Sequence, residues 1–327
     1  MLPVLCYGDI CADLLIPYGQ ALSVQSEAVD PDALTVRFSH GGSVANTAVT
    51  LARLGAPALF LGTAGQDAFG RALKAGLEQE GVDASLLTLK DAAMTTMVLL
   101  VLDKQGERVP FAFPRVKASQ HNITEDQIPD DILARISWMH SSGMTLREDP
   151  AAANQLSLMR RCHEAGIPVA LDVNARLESI QDSTFAHNIQ AALSYCDLLF
   201  GSAEDELCPL AGESYPDAAA KKLLETVPMV IARRGEKGAT VYTRSEVFSS
   251  PAFPVPIRDR VGAGDVYDGA FLASLLSGHS PQEANRRACA AGAWCVSHFG
   301  GRSGPTLQEL NSILFSDAAT GSAAHTL

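Results

Sequence analysis

The sequence predicts an α/β domain of three layers, a mostly parallel sheet with helices on both faces, carrying a small β-sheet lid. Three observations support this. Short apolar runs alternate with amphipathic helical stretches along most of the chain. Two β-rich stretches, 14–38 and 95–113, interrupt that alternation. A chain of 327 residues, 47% of them hydrophobic, is long enough for one large α/β domain with a small appendage, or for two modest domains.

Taken in order, VLCYGDI reads as a short buried strand ending at Gly8-Asp9. The stretch SHGGSVANTAVTLARLGAPALFLGTAGQD gives a Gly-rich turn, a helix over 44–54, a Gly-Ala-Pro stop and a strand over 58–62. FGRALKAGLEQEGVD is a second helix, closed by Gly81. LTVRF, TTMVLLVLD and RVPFAF are the strands of the interruption, with DKQG as a hairpin turn, and form a sheet placed to cover an active site. After Gln127 the alternation resumes through the strands ARISWMHSS, IPVALDVN, DLLFGS and PMVIARRG, with GATVYTR and VFSSPAFPVP as antiparallel pieces. Helices follow over 264–279 and 281–299. The main domain is therefore assigned to 1–13, 39–94 and 118–312, the lid to 14–38 and 95–117, and a frayed tail to 316–327.

Composition narrows the function. Lys and Arg number 25 against 37 Asp and Glu, a formal net charge of −12, so a broad nucleic-acid-binding surface is not expected. A small anion remains compatible, because a few backbone N–H groups bind a phosphate whatever the global sign. The N-terminus has no basic signal-peptide region and no run reaches bilayer-spanning length, so the expectation is a cytoplasmic protein without membrane contact. Seven cysteines without a CxxC pair read as reduced, small hydrophobes rather than a disulfide or zinc framework. His140 and the stripe Leu156, Met159 and Cys162 read as packing residues.

The strongest local signal is Arg258-Asp-Arg-Val-Gly262-Ala-Gly264-Asp265-Val-Tyr-Asp-Gly-Ala-Phe271. Two glycines spaced by an alanine open an apolar helix, so the amides of Gly262, Ala263 and Gly264 suit an anion hole for a phosphoryl group developing charge. Asp265, at the same helix start, is placed to accept a proton from an attacking hydroxyl. The same residues also suit an ordinary turn with a dipole-favourable acid.

DRVGAGDVYDGAF resembles the C-terminal signature of the PfkB/ribokinase family of carbohydrate kinases, and GGSVANTAVTLARLGAPALFLGTAGQDAFG its N-terminal signature. Gly8-Asp9 with Asp13, Asp172-Val-Asn174-Ala-Arg176, LLFGSAEDEL and IARRGEKGA fall in the family's order, so the resemblance covers about 4–310. It implies a ribokinase-like, Rossmann-like three-layer α/β/α fold with a β lid, and ATP-dependent phosphorylation of a sugar's primary hydroxyl. It further implies that Asp265 is the base, that Gly262, Ala263 and Gly264 form the anion hole, and that Asp13, Gly42 and Asn46 hold sugar hydroxyls. Gly235 and Gly238 would run along the nucleotide, Mg²⁺ would accompany ATP, and a monovalent cation such as K⁺ is compatible. The lid would close over the sugar, exclude water and pair two copies as a homodimer.

Arg115 and Arg176 resemble the pattern of fructokinases and 2-keto-3-deoxygluconate kinases, and their paired donors suit a carboxylate or carbonyl-bearing sugar; each also suits a hinge ion pair. Asp172 is expected to orient the sugar end of the sheet or a neighbouring Arg. Three positions depart from the family. Asp259-Arg260-Val261 carries a long cation where a small hydroxyl is usual, Gly201-Ser-Ala-Glu204 retains the acid of Asn-x-x-Glu but not the amide, and Cys289 stands where an adenine-side Asn is usual. Glu204 would support magnesium through water, with Glu206 as the weaker candidate. Two alternatives remain beside a ketose or ketoaldonate kinase: a nucleoside kinase of the same fold, and a non-catalytic sugar or nucleotide sensor.

Overall fold

The computed structural model describes residues 1–17, 37–102, 108–114, 118–175 and 177–323. Its strands are β1 (Val4–Tyr7), β2 (Cys11–Pro17), β3 (Arg37–Gly41), β4 (Ala58–Gly65), β5 (Asp83–Lys90), β6 (Met97–Leu102), β7 (Arg108–Phe113), β8 (Trp138–Ser142), β9 (Val169–Asp172), β10 (Leu198–Ser202), β11 (Met229–Arg233), β12 (Ala239–Thr243) and β13 (Val247–Ser250). One sheet runs in the order β13-β12-β11-β10-β9-β8-β1-β4-β5. From β5 to β11 every neighbouring pair is parallel, whereas β12 and β13 turn back antiparallel at one edge.

Side-chain alternation explains the two helical layers. Val4 and Cys6 enter one apolar cluster and Leu5 and Tyr7 the other, as a strand buried on both faces requires. The first cluster is covered by the helices Ser43–Arg53, Ala68–Gln79, Ala263–Leu276 and Pro281–Val296. The second lies under Ala151–Glu164, Ser183–Leu193 and Pro216–Leu223. The Ala263–Leu276 helix is central: Val266, Tyr267, Ala270, Phe271, Leu272 and Ala273 are all buried. At about 1.5–3 kcal/mol for each large apolar side chain removed from water, this burial holds the helix against the sheet.

A second sheet, β3-β2-β6-β7, is the expected lid, and it pairs β2 with β6 in parallel and the other neighbours antiparallel. It begins at Cys11 and ends β3 at Gly41, so Asp13 belongs to the lid base. The LTVRF piece lies largely, and the DKQG turn wholly, outside the described residues.

Three elements differ from expectation. β5 is an edge strand that the sequence reading leaves unassigned. The helix Pro216–Leu223, opened by Pro at its first turn, is likewise unanticipated. The expected tail from 316 is helical to Ala323, continuing a helix from Leu307 whose Leu310 and Leu314 are anchored in the core. All seven cysteines are unpaired and buried, and His140 is buried edge-on to Phe200, where burial pushes its pKa down to about 3. Among the described residues no helix is long and apolar enough to cross a membrane.

Candidate active site

The carboxyl ends of β1, β9 and β11 converge on the start of the Ala263–Leu276 helix, the crevice where parallel α/β sheets offer free backbone groups. Gly262 caps that helix at φ 78°, a left-handed conformation that favours glycine, and a Cβ there would lie 2.3 Å from the Gly301 carbonyl oxygen. The first bond along the helix is Val266 N–H to Gly262 O, which leaves the amides of Ala263, Gly264 and Asp265 without helical acceptors.

Asp265 is held from the Ser43–Arg53 helix. The Ser43 hydroxyl donates to its Oδ1 and the Asn46 amide to its Oδ2, both at 2.8 Å, while Thr47 Oγ1 donates to its main-chain carbonyl at 3.1 Å. Asn174 Nδ2 in turn donates to Ser43 Oγ at 2.5 Å, from a backbone at φ 38°. Asn tolerates that region better than most residues. The Ser43–Arg53 helix has its own cap from a neighbouring strand end, since Asp9 accepts the Ser43 and Val44 amides at 2.8 and 3.3 Å. Burial pushes the Asp265 carboxyl up to about 7; the Asn46 and Ser43 bonds oppose this, and the charges of Asp172 and Asp9 add to it.

Behind the helix start lies a buried cation that the sequence reading places only on a strand. Arg233, at the end of β11, meets Asp172 Oδ1 at 2.6 Å, Asp268 Oδ1 at 2.9 Å and Glu206 Oε2 at 3.5 Å. Its Nη1 would be 2.8 Å from a Cβ on Gly264, so the second glycine of the motif is required by this guanidinium. Three carboxylates around one guanidinium repel one another: burial and Asp172 push Glu206 up to about 7, and burial drives Asp268 well above the carboxylate range.

The remaining expected residues fall as follows. Asp13 is buried and accepts the Cys11 thiol at 3.4 Å; burial pushes it up to about 6. Gly42 has φ 100°, and a Cβ there would meet Ile10 Cα at 2.5 Å. Gly235 and Gly238, at φ 56° and 87°, bound the turn from β11 to β12. Asp259 is buried, accepting the Val261 and Gly300 amides, and Arg260 beside it is exposed. Cys289 is buried against Ser250 O. Glu204 is exposed, while Glu206 turns inward and accepts the amides of Ser202 and Ala175 at 2.6 and 3.0 Å. Arg115 and Arg176 lie outside the described residues.

Ser43, Asn174 and Arg233 are the site residues that sequence reasoning passed over. A signal for Arg233 exists: in β11 it shares a face with Ile231, and in β9 Asp172 shares that face with Ala170, so strand alternation alone brings the two charges to one side of the sheet.

A carboxylate beside free helix-start amides, at the carboxyl end of a parallel sheet, defines a group-transfer enzyme acting on an anionic donor. The chain belongs to the pfkB family of carbohydrate kinases, whose profile matches residues 1–308. It is therefore a sugar kinase. It is 32% identical over 274 residues to the fructokinase of Klebsiella pneumoniae, covering 83% of this chain and 82% of that one. The fructokinase of Xylella fastidiosa with bound ATP shares the fold at a TM-score of 0.84 and 24% identity, covering 97% of this chain and 99% of that one. A fructokinase double mutant from Vibrio cholerae O395, in its fructose-, ADP- and potassium-bound form, does so at 0.81 and 24%, covering 96% and 98%.

Proposed function

We propose that the protein transfers the γ-phosphoryl group of ATP to a primary hydroxyl of a ketose or ketoaldonate, fructose-like or 2-keto-3-deoxygluconate-like, with Asp265 as general base. The observation that carries phosphoryl transfer is the Asp265 carboxylate, oriented by Ser43 and Asn46 at the first turn of a helix whose opening amides have no helical acceptors. The ketose or ketoaldonate rests on Arg115 and Arg176 in the sequence and on the similarity to fructokinases. As the sugar oxygen forms its bond to phosphorus, the hydroxyl proton passes to Asp265 and the bond from phosphorus to the β,γ-bridging oxygen breaks, releasing ADP. The amides of Ala263 and Gly264 meet the charge on the transferring group with dipoles already in place. A base whose pKa lies near 7 is matched to this task at neutral pH.

Sugar hydroxyls fall to Asp13, to the main chain at Gly42 and to Asn46, whose Oδ1 is buried without a partner among the described residues and so offers an acceptor. The nucleotide runs along the Gly235–Gly238 turn towards Asp259 and Cys289. Magnesium on the ATP phosphates supplies charge neutralisation when bound. The carboxylate of Glu204 is open to a hydrated ion, whereas both Glu206 oxygens are engaged by backbone amides. A monovalent cation is part of the proposal, prompted by the potassium in the Vibrio cholerae structure. The lid excludes water, and Phe38, Phe111 and Phe113, exposed on it, suit pairing with a second copy. The sensor reading needs Arg260 in the phosphate cradle, and that side chain is exposed.

The test is an ADP-release assay with ATP, with and without Mg²⁺ and K⁺, against fructose, 2-keto-3-deoxygluconate, ribose and a set of nucleosides. Turnover is expected on a ketose or ketoaldonate; turnover confined to nucleosides refutes the substrate reading, and silence on every acceptor with ATP still bound refutes catalysis.

A further inference from the structure

The segment Gly300–Gly304, which follows the Pro281–Val296 helix, spans the proposed phosphoryl and sugar sites. Gly300 N donates to Asp259 Oδ2 at 3.0 Å. Gly301 backs Gly262, and a Cβ on it would lie 2.7 Å from Asn46 Nδ2. Arg302 Nη2 donates to the Gly41 carbonyl at 3.0 Å, and Gly304 O accepts from Arg53 Nη1 at 2.7 Å. Nε and Nη1 of Arg302 are buried with no hydrogen-bond partner among the described residues. Asp13 also packs against Gly41: a Cβ on Gly41 would be 2.4 Å from its Oδ2. An incompletely satisfied buried cation and a buried carboxylate with only a thiol donor among the described residues thus both border one lid-strand glycine.

We infer that Arg302 is a positioning residue for the sugar: from the loop that backs the anion hole it clamps β3 and supplies the positive field that Asp13 needs to receive a sugar hydroxyl. This rests on the proposal that Asp13 holds the sugar. The groups acting on Asp13 from the surrounding elements are the Cys11 thiol on its own strand, Asp9 after β1, Asp259 before the Ala263–Leu276 helix, and Arg302. His40, on β3 beside Gly41, feels the same guanidinium and is pushed towards its neutral form, chiefly by burial. Asp9 and Asp259 repel a charge on Asp13 and burial opposes it, so Arg302 is the cation among these groups that favours it. Burial lowers the guanidinium only to about 10, so it remains charged at neutral pH. A carboxylate accepts from a sugar hydroxyl with both oxygens, and its protonated form gives up part of that capacity. Arg302 acts on turnover through Asp13, and its position ties sugar binding to the loop that supports Gly262.

The experiment measures sugar and ATP kinetics from pH 5.5 to 9 for the full chain and for Arg302→Gln, Arg302→Met and Arg302→Lys. Near pH 6.5 either neutral variant is expected to raise the sugar KM about tenfold with the ATP KM unchanged, and to move the acid limb of kcat/KM for the sugar upward. The gap closes above pH 8, and kcat keeps its own acid limb, which reports Asp265. Lys restores the wild-type pH profile because it restores the charge. In an Asp13→Asn background Arg302→Gln adds no further change. A folded neutral variant with the wild-type acid limb overturns the inference, as does an equal rise in both KM values. If Asp13→Asn itself leaves the sugar KM unchanged, the proposed sugar site fails and the inference falls with it. If both neutral variants fail to fold, the Lys variant decides: a shifted acid limb despite retained charge overturns the inference.

Discussion

Replacing Asp265 with Asn separates catalysis from stability in opposite directions. Asn keeps the shape, and its Oδ1 can accept the Asn46 amide while its Nδ2 donates to Ser43 Oγ, so the site is not left with facing donors. Loss of the base is expected to reduce kcat about 10³-fold, or ~4 kcal/mol of transition-state stabilisation. The stability effect follows from the raised carboxyl. In the folded chain Asp265 sits at about 7 instead of 3.8, so the folded state binds the proton more tightly than the unfolded one. Ionising it therefore costs stability; the cost is absent below pH 3.8, grows as pH rises and is complete above about 7. Taken whole, that interval corresponds to ~4 kcal/mol. Solvent at this partly open cleft screens it to ~1–2 kcal/mol. The Asn variant should thus melt about 2 °C higher than wild type at pH 8.5 and no higher at pH 4, while ADP release is nearly lost. Calorimetry at the two pH values, run beside the ADP-release assay, checks both halves. A variant retaining more than a tenth of the wild-type turnover, or one destabilised at pH 8.5, would refute the reasoning.

The remaining predictions concern the supports of that carboxylate. Ser43→Ala removes one of two donors to the Asp265 side chain, so kcat falls about tenfold and its acid limb moves to higher pH; a pH–rate profile reads the shift. Gly264→Ala drives a methyl into Arg233 Nη1, which three carboxylates hold in place; thermal melts should show a loss of about 1–3 kcal/mol, together with at least a tenfold fall in turnover. Arg233→Met strands those carboxylates and should cost ~3–5 kcal/mol in urea unfolding, whereas Asp268→Asn, replacing a group already driven towards its neutral form, should change stability by less than ~1 kcal/mol.

Much of this was legible before the fold was seen, because the informative signals are local. A glycine pair ahead of SVANTAVTLARL and another opening AGDVYDGAF mark helix starts by backbone requirements that few other residues meet, and the chain order of six such elements fixes the sheet's sequence of strands and helices. β5 escaped because DASLLTLK holds a single β-branched residue and lies on the sheet edge, where half of its pattern is solvated. Glu204 ranks ahead of Glu206 because it fills the acid position of Asn-x-x-Glu; that the segment Ala203–Leu207 winds as a wide π-turn with Glu206 facing inward is visible only in the fold. Arg302 gives no sequence signal at all: only the fold brings a loop near residue 300 against a strand near residue 40.

The departures from the family pattern acquire physical reasons in the same way. Gly201 replaces an amide-bearing residue because Leu207 fills its side-chain space: a Cβ there would lie 2.7 Å from Leu207 Cδ2. Cys289 stands one turn after Asn285, and it is Asn285 whose amide bridges Ala239 O and Phe248 O while accepting from the Tyr267 hydroxyl. Asn285 thus ties the Pro281–Val296 helix to β12, and Cys289, one turn later, is buried against Ser250 O. Arg260 is exposed, and the cation beneath the proposed anion hole is instead Arg233, reached from β11. These substitutions lie around the proposed nucleotide side of the crevice and leave the contacts of Ser43, Asn46 and Asn174 around Asp265 intact. Because Asp265, the proposed base, is oriented from one helix and the strand end of β9, while the departures sit on β10, the Pro281–Val296 helix and the segment before Gly262, changes on the proposed nucleotide side can accumulate without disturbing the contacts that hold this carboxylate.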